Sequence, residues 1–232
     1  MEFYSYASSS AGNCYAVSDG QTRILLECGL AFRTLQKKLD FQLSEIDACL
    51  LSHEHKDHSK CVQELIKSGL TVFMSEGTAQ ALELDGVEVI EARRQFSVGT
   101  MDIVPFETFH DAQEPLGFYI KSRVDGESLA FATDTVNLGY QFEELTMLAI
   151  ESNYDADILS RSERMPEKTR HRIENSHMEI RRLCEYLKRL DLEKCREIFL
   201  LHLSDATSHE GNFIYKVMRV VPKHVRVTAC GK

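Results

Sequence analysis

Residues 52–58 read Ser52-His53-Glu54-His55-Lys56-Asp57-His58. Within six consecutive positions stand three imidazoles and a carboxylate, His53, His55, His58 and Asp57, the ligand types that hold divalent transition metals. In a chain with nine His among 232 residues, the pattern H-x-H-x-D-H arises by accident with a probability on the order of one in a thousand. The preceding run, Ile46-Asp47-Ala48-Cys49-Leu50-Leu51, is mostly apolar and predicts a buried strand that stops where the cluster starts. Ligands are then delivered at a strand's carboxyl end, where open α/β sheets place their sites.

Four more candidate ligands stand at comparable places. Glu27 closes Arg23-Ile24-Leu25-Leu26, His110 ends a strand over 101–109, Asp134 follows a strand over 129–133, and His202 closes Ile198-Phe199-Leu200-Leu201. One polar residue at one strand end is unremarkable, but four such ends beside the cluster suggest convergence on a single rim. Elsewhere, short strands over 3–7, 13–18 and 22–27 lead to a helix over 31–39, and a helix over 61–67 stops at Gly69. Ser75 caps a helix reaching Leu82. Residues 155–175 read as polar and irregular. Ser176 then caps an amphipathic helix with Ile180, Leu183, Cys184 and Leu187 on one face. Strands and helices alternate without repeats or linkers, so one α/β domain over residues 1–232 is expected.

Composition narrows the setting. No apolar run approaches the ~20 residues that span a bilayer, and Met1-Glu2-Phe3-Tyr4-Ser5-Tyr6 is no signal peptide, so a cytoplasmic protein without a membrane association is expected. Seven dispersed Cys without a C-x-x-C pair point to free thiols, with Cys28 and Cys49 in the core and Cys61, three residues past His58, either a buried thiol or facing the site. A formal net charge of −9 argues against a protein that coats nucleic acid by charge alone. Residues 161–172 run against that trend, with Arg161, Arg164, Lys168, Arg170 and Arg172. The segment reads either as phosphate-facing or as a solvated loop. His171, His209 and His224 read as surface residues.

The order H-x-H-x-D-H, then His110, Asp134 and His202, resembles the metallo-β-lactamase fold superfamily. Within it the chain is similar to the bacterial YycJ/WalJ-like branch of exonuclease-type phosphodiesterases. The likeness extends to Ser8-Ser9-Ser10-Ala11-Gly12-Asn13 with Tyr15, Leu25-Leu26-Glu27-Cys28-Gly29, Phe131-Ala132-Thr133-Asp134-Thr135, Glu151-Ser152-Asn153 and His202-Leu203-Ser204. It departs in having Glu27 where the superfamily usually has Asp, and Asn175-Ser176-His177-Met178 where the branch has Gly-His-Leu-Ser.

The resemblance implies a four-layer αββα sandwich with two divalent metal ions. His53, His55 and His110 would hold one ion, Asp57, His58 and His202 the other, and Asp134 would bridge them. Imidazole and carboxylate without thiolate suit Zn²⁺ or Mn²⁺ better than Mg²⁺ alone. The implied activity is phosphodiester hydrolysis by a metal-bridging hydroxide, on DNA as an exonuclease or else on a cyclic or free nucleotide. Asp57 and His177 are the catalytic candidates, His177 as proton donor to the leaving oxygen. Ser9, Asn13 and Arg172 are candidate substrate contacts, although the 8–13 tract also reads as a plain hairpin turn. Glu27 would support the site from beneath. A secreted lactamase or a diiron redox protein fits less well, since neither a signal peptide nor a flavin-binding segment is found.

Overall fold

The computed structural model describes residues 1–162 and 165–231. These fall into two compact units. The first takes in residues 1–107 and 112–127, the second residues 108–111 and 128–231.

In the first unit, a six-stranded sheet runs in chain order. Strands β1 (Glu2–Ser9), β2 (Gly12–Ser18) and β3 (Arg23–Leu26) pair antiparallel. From β3 onward pairing turns parallel through β4 (Ala48–Leu50), β5 (Val72–Met74) and β6 (Glu88–Val89). The change follows from the connections. A tight turn joins β2 to β3, but α1 (Phe32–Lys38) intervenes before β4, and helices α2 (Lys56–Ser59) and α3 (Val62–Lys67) before β5. Parallel strands need such crossovers. α4 (Glu76–Ala81) follows β5, and the Ser75 hydroxyl caps it by accepting from Thr78 N, as the sequence predicts. An antiparallel ribbon, β7 (Phe96–Val98), β8 (Met101–Glu107) and β9 (Leu116–Ser122), completes the unit. Cys14, Cys28, Cys49 and Cys61 share the unit's apolar core with Leu25, Leu35, Leu51 and Leu65. All seven cysteines are buried and free.

The second unit is built on four parallel strands, β10 (Ser128–Ala132), β11 (Met147–Glu151), β12 (Glu197–Leu201) and β13 (Arg226–Ala229). Every residue of β10, β11 and β12 is buried, which is why they read as continuous apolar runs and not as alternation. Register sets Ala132 beside Ile150 and Glu151 beside Leu201. The carboxyl ends of three neighbouring strands therefore come level, and Asp134, Glu151 and His202 stand at them. Among the described residues, no helix is long and apolar enough to cross a membrane.

Two expectations need correction. Among the described residues of 155–175, α5 (Ala156–Ser160) and α6 (Glu167–Ser176) form where an irregular segment was expected. α6 escapes a periodicity search because only Ser176 of its ten residues is buried; Glu, Lys and Arg favour helix without an apolar face. Nor does Ser176 cap the next helix. It ends α6, and α7 (Ile180–Leu187) is capped by Glu179, whose side chain accepts from Arg181 N and Arg182 N. The predicted apolar face of α7 is otherwise as expected, with Ile180, Leu183, Cys184 and Leu187 buried. α8 (Glu210–Met218) opens on His209, whose Nδ1 accepts from Asn212 N at 3.2 Å.

Replacing Glu179 by Ala removes both cap bonds and should cost about 1 kcal/mol. Urea denaturation would register it as a lower midpoint with an unchanged slope. An unshifted midpoint would show that the cap contributes nothing.

Candidate metal centre

In the first unit, β4 delivers the histidine cluster as expected. The Ser52 hydroxyl lies 2.8 Å from His53 Nδ1, which orients that ring. Around it, the ring centroids of His55 and His58 lie 4.8 and 4.2 Å from that of His53. His55 precedes α2, so Asp57 and His58 fall in its first turns. The 57–58 backbone is clamped from below. Cys28 N donates to His58 O at 2.7 Å, and Asn13 Nδ2 donates to Asp57 O at 3.3 Å. A Cβ on Gly29 would lie 1.7 Å from Asp57 O, so only glycine lets the two segments pass.

Glu27, fully buried, reaches the same place. Its Oε2 accepts from Ser52 N at 3.4 Å and lies 3.4 Å from His58 Nδ1. A carboxylate beside one ring nitrogen helps to set the orientation of the imidazole. Asn13, expected at the substrate, is also fully buried, with Nδ2 3.1 Å from His58 Nε2. Its Oδ1 accepts from Tyr15 Oη at 3.0 Å, so its visible contacts orient the cluster. Ser9 makes a local turn, its Oγ accepting from Ala11 N at 3.2 Å.

The second unit gathers Asp134, Glu151, His177 and His202 so closely that one ligand atom from each lies within 4.8 Å of the others. Glu151 is the hub. Its Oε2 accepts from Thr135 N at 2.8 Å and Met178 N at 3.0 Å, and its Oε1 accepts from His177 Nδ1 at 2.6 Å. His202 Nδ1 lies 2.6 Å from Asp134 Oδ1 and 3.3 Å from Glu151 Oε1. Burial alone would raise the Glu151 carboxyl, but the adjacent His177 and His202 hold it below its usual range. Burial alone would lower His202, yet Asp134 and Glu151 lift its pKa to about 10. His177 is raised in the same way, burial being outweighed by Glu151.

His110 differs. Burial dominates and lowers its pKa against the opposing pull of Asp134. Its Nδ1 donates to Ser176 O at 2.7 Å. Its Nε2 lies 3.4 Å from Asp134 Oδ2 and 3.2 Å from Asp111 Oδ1. Imidazole and carboxylate side chains gathered in this way are donors of the type that hold a divalent metal ion.

His177 lies at the C-terminal end of α6, the reverse of the helix start that the sequence suggests. There the helix dipole favours a protonated ring, in the same direction as Glu151. Arg172 is largely exposed and donates through Nε to Asp111 Oδ2 at 2.9 Å. Arg170 donates to Met165 O, and Arg164 lies outside the described residues. The residue that sequence reasoning missed is Glu151. The rule that singled out Asp134 and His202 applies to it equally, since it closes Met147-Leu148-Ala149-Ile150.

The family model for the beta-lactamase superfamily domain matches residues 22–203, a stretch that runs through both units. The chain belongs to the beta-lactamase superfamily. Among superfamily relatives it is 29% identical over 224 residues to Exodeoxyribonuclease YycJ of Bacillus anthracis, covering 88% of this chain and 83% of that protein. Identity is again 29% over 220 residues to Exodeoxyribonuclease WalJ of Streptococcus pneumoniae, covering 85% and 80%. The metallo-β-lactamase fold protein YhfI from Bacillus subtilis superposes with a TM-score of 0.72 at 16% identity, covering 98% of this chain and 95% of that one. The fold of this superfamily member is thus the metallo-β-lactamase α/β fold, as the sequence implied.

Replacing Glu151 by Ala strands the N–H groups of Thr135 and Met178 and leaves His177 and His202 without their shared carboxylate. A loss of roughly 3 kcal/mol or more in folding stability is expected. Chemical denaturation measures it, and a variant as stable as the parent would remove Glu151 from the centre of this network.

Proposed function

We propose that this chain is a dinuclear metal-dependent phosphodiesterase of the DNA exonuclease type. The observation that carries the reading is the gathering of Asp134, Glu151, His177 and His202 with one ligand atom each within 4.8 Å, and of His110 Nε2 3.4 Å from Asp134 Oδ2. The exodeoxyribonuclease relatives supply the substrate class. In the superfamily pattern, His53, His55 and His110 would hold one ion, Asp57, His58 and His202 the other, with Asp134 shared. When bound, two divalent cations supply Lewis-acid polarisation of the phosphoryl oxygens and a lowered pKa for an attacking water.

The protein's own groups divide the remaining work. Glu27 and Asn13 hold His58 and the 57–58 turn in place. Glu151 accepts the Nδ1 proton of His177 and raises the ring's proton affinity. His177 Nε2–H is thereby prepared to give a proton to the leaving oxygen, the role of general acid. Arg172, anchored on Asp111, is the substrate contact offered to a neighbouring phosphate. Seven free, buried thiols suit a reducing, cytoplasmic setting.

A cyclic-nucleotide or free-nucleotide phosphodiesterase is the alternative, favoured by the formal net charge of −9, which attracts no long polyanion. Incubation with Mn²⁺ or Zn²⁺ and either end-labelled DNA or cyclic nucleotides separates the two, progressive shortening of DNA being the expected result.

His55→Ala and Asp134→Asn should each abolish hydrolysis and lower metal content while the domain stays folded. Metal analysis, circular dichroism and the DNA assay check this together, and full activity in either variant defeats the reading. His177→Ala should reduce turnover by roughly 10²–10⁴-fold with little change in metal content. Equal loss of metal and turnover would make His177 a structural residue.

A further inference from the structure

We infer that Phe109 is the stacking platform for an unpaired nucleobase at the end of a single DNA strand, with Arg172 holding the adjoining phosphate. The inference rests on the nuclease reading above and adds to it the residue that grips the strand end.

Phe109 and His110 are consecutive, yet they differ sharply in exposure. The His110 side chain is buried, whereas Phe109 is 58% exposed. Of the exposed large apolar residues among those described (Tyr4, Phe41, Val89, Phe109, Val124, Tyr215 and Met218), Phe109 alone adjoins a candidate ligand in sequence. Its backbone is pinned on both sides. Phe109 N donates to Thr135 Oγ1 at 3.0 Å, and Phe109 O accepts from Val136 N at 2.9 Å. Those partners directly follow Asp134, so the Phe109 backbone is held beside the segment that carries Asp134.

An exposed aromatic on rigid backbone offers a large π-face at little entropic cost, and every nucleobase presents a matching face. The surroundings suit a polyanion. Arg172 is 59% exposed and bonds Asp111, two residues past Phe109, through Nε. Arg182 donates through Nη1 to Val136 O, on the segment that pins Phe109. A stacked base and a guanidinium on the next phosphate together recognise a strand end, which a duplex interior cannot offer because its bases are already stacked.

The protein contains no tryptophan, so Phe109→Trp supplies a single fluorescent reporter at the site. In Mn²⁺ with a short single-stranded deoxyoligonucleotide carrying slowly cleaved terminal phosphorothioates, its emission should be quenched on binding. Phe109→Ala should bind the same oligonucleotide roughly five- to a hundred-fold more weakly. Because the ring packs in no core, the variant stays folded. Oligonucleotides abasic at the terminal nucleotide should weaken binding to the wild type but not further weaken binding to Phe109→Ala. An abasic penalty that persists undiminished in Phe109→Ala, or unchanged affinity in that variant while the wild type shortens DNA, overturns the stacking role and leaves the nuclease reading intact. A wild type that cleaves cyclic nucleotides and neither binds nor shortens DNA overturns both.

Discussion

Burial of the Glu151 carboxylate is the constraint on which the second unit's chemistry depends. A fully buried carboxylate costs several kcal/mol unless it is paired and hydrogen-bonded. Here its partners come from separate stretches of chain. Thr135 N follows β10, His177 and Met178 lie between α6 and α7, and His202 follows β12. One side chain therefore ties the ends of three neighbouring strands and a helix junction into a single electrostatic unit. The same carboxylate sets the proton affinity of His177, so the group that holds the fold together also prepares the proposed proton donor. Losing it would disturb both at once.

Backbone conformation is the second constraint. Glu27, Asp134 and His202 all adopt left-handed φ, at 65°, 38° and 51°, a region that side-chain-bearing residues rarely occupy. Each stands just past a strand, where the turn diverts the chain out of the sheet while the side chain stays at the rim. Such strain costs about 1–3 kcal/mol per residue and persists where surrounding bonds over-determine it. Those bonds are present. Glu27 N donates to Leu50 O, Asn153 Nδ2 donates to His202 O at 2.9 Å, and Thr133 Oγ1 donates to Asp134 Oδ1 at 3.0 Å. Around the 57–58 turn, the close passage at Gly29 plays the same part by steric means.

Much of this architecture was legible beforehand, because it depends on local pattern. Apolar runs ending in a polar residue located β3, β4, β10 and β12 within a residue or two, and helical spacing located the buried face of α7. Glu151 carried the same strand-end signature and was passed over, whereas the rest of what escaped had no local signature. α6 is solvated nearly all round and carries no periodicity to detect. The Ser176 hydroxyl looked like a helix cap, but it accepts nothing from the following turn and instead donates to Arg172 O at 2.7 Å. That single difference moved His177 from a helix start to a helix end and reversed the sign of the dipole acting on it.

The sequence by itself determined which residues could bind a cation, since imidazole and carboxylate donors are chemical facts of the side chains and the H-x-H-x-D-H spacing is dense enough to be read directly. It also determined that they would stand at strand ends. Only the tertiary structure decided how those donors are tuned. Whether a histidine's proton affinity is lowered, as at His110, or raised, as at His177, depends on its burial and on which carboxylates and carbonyls lie within about 4 Å. Such neighbours come from strands and helices far apart in the chain, and only sheet register and helix placement bring them together.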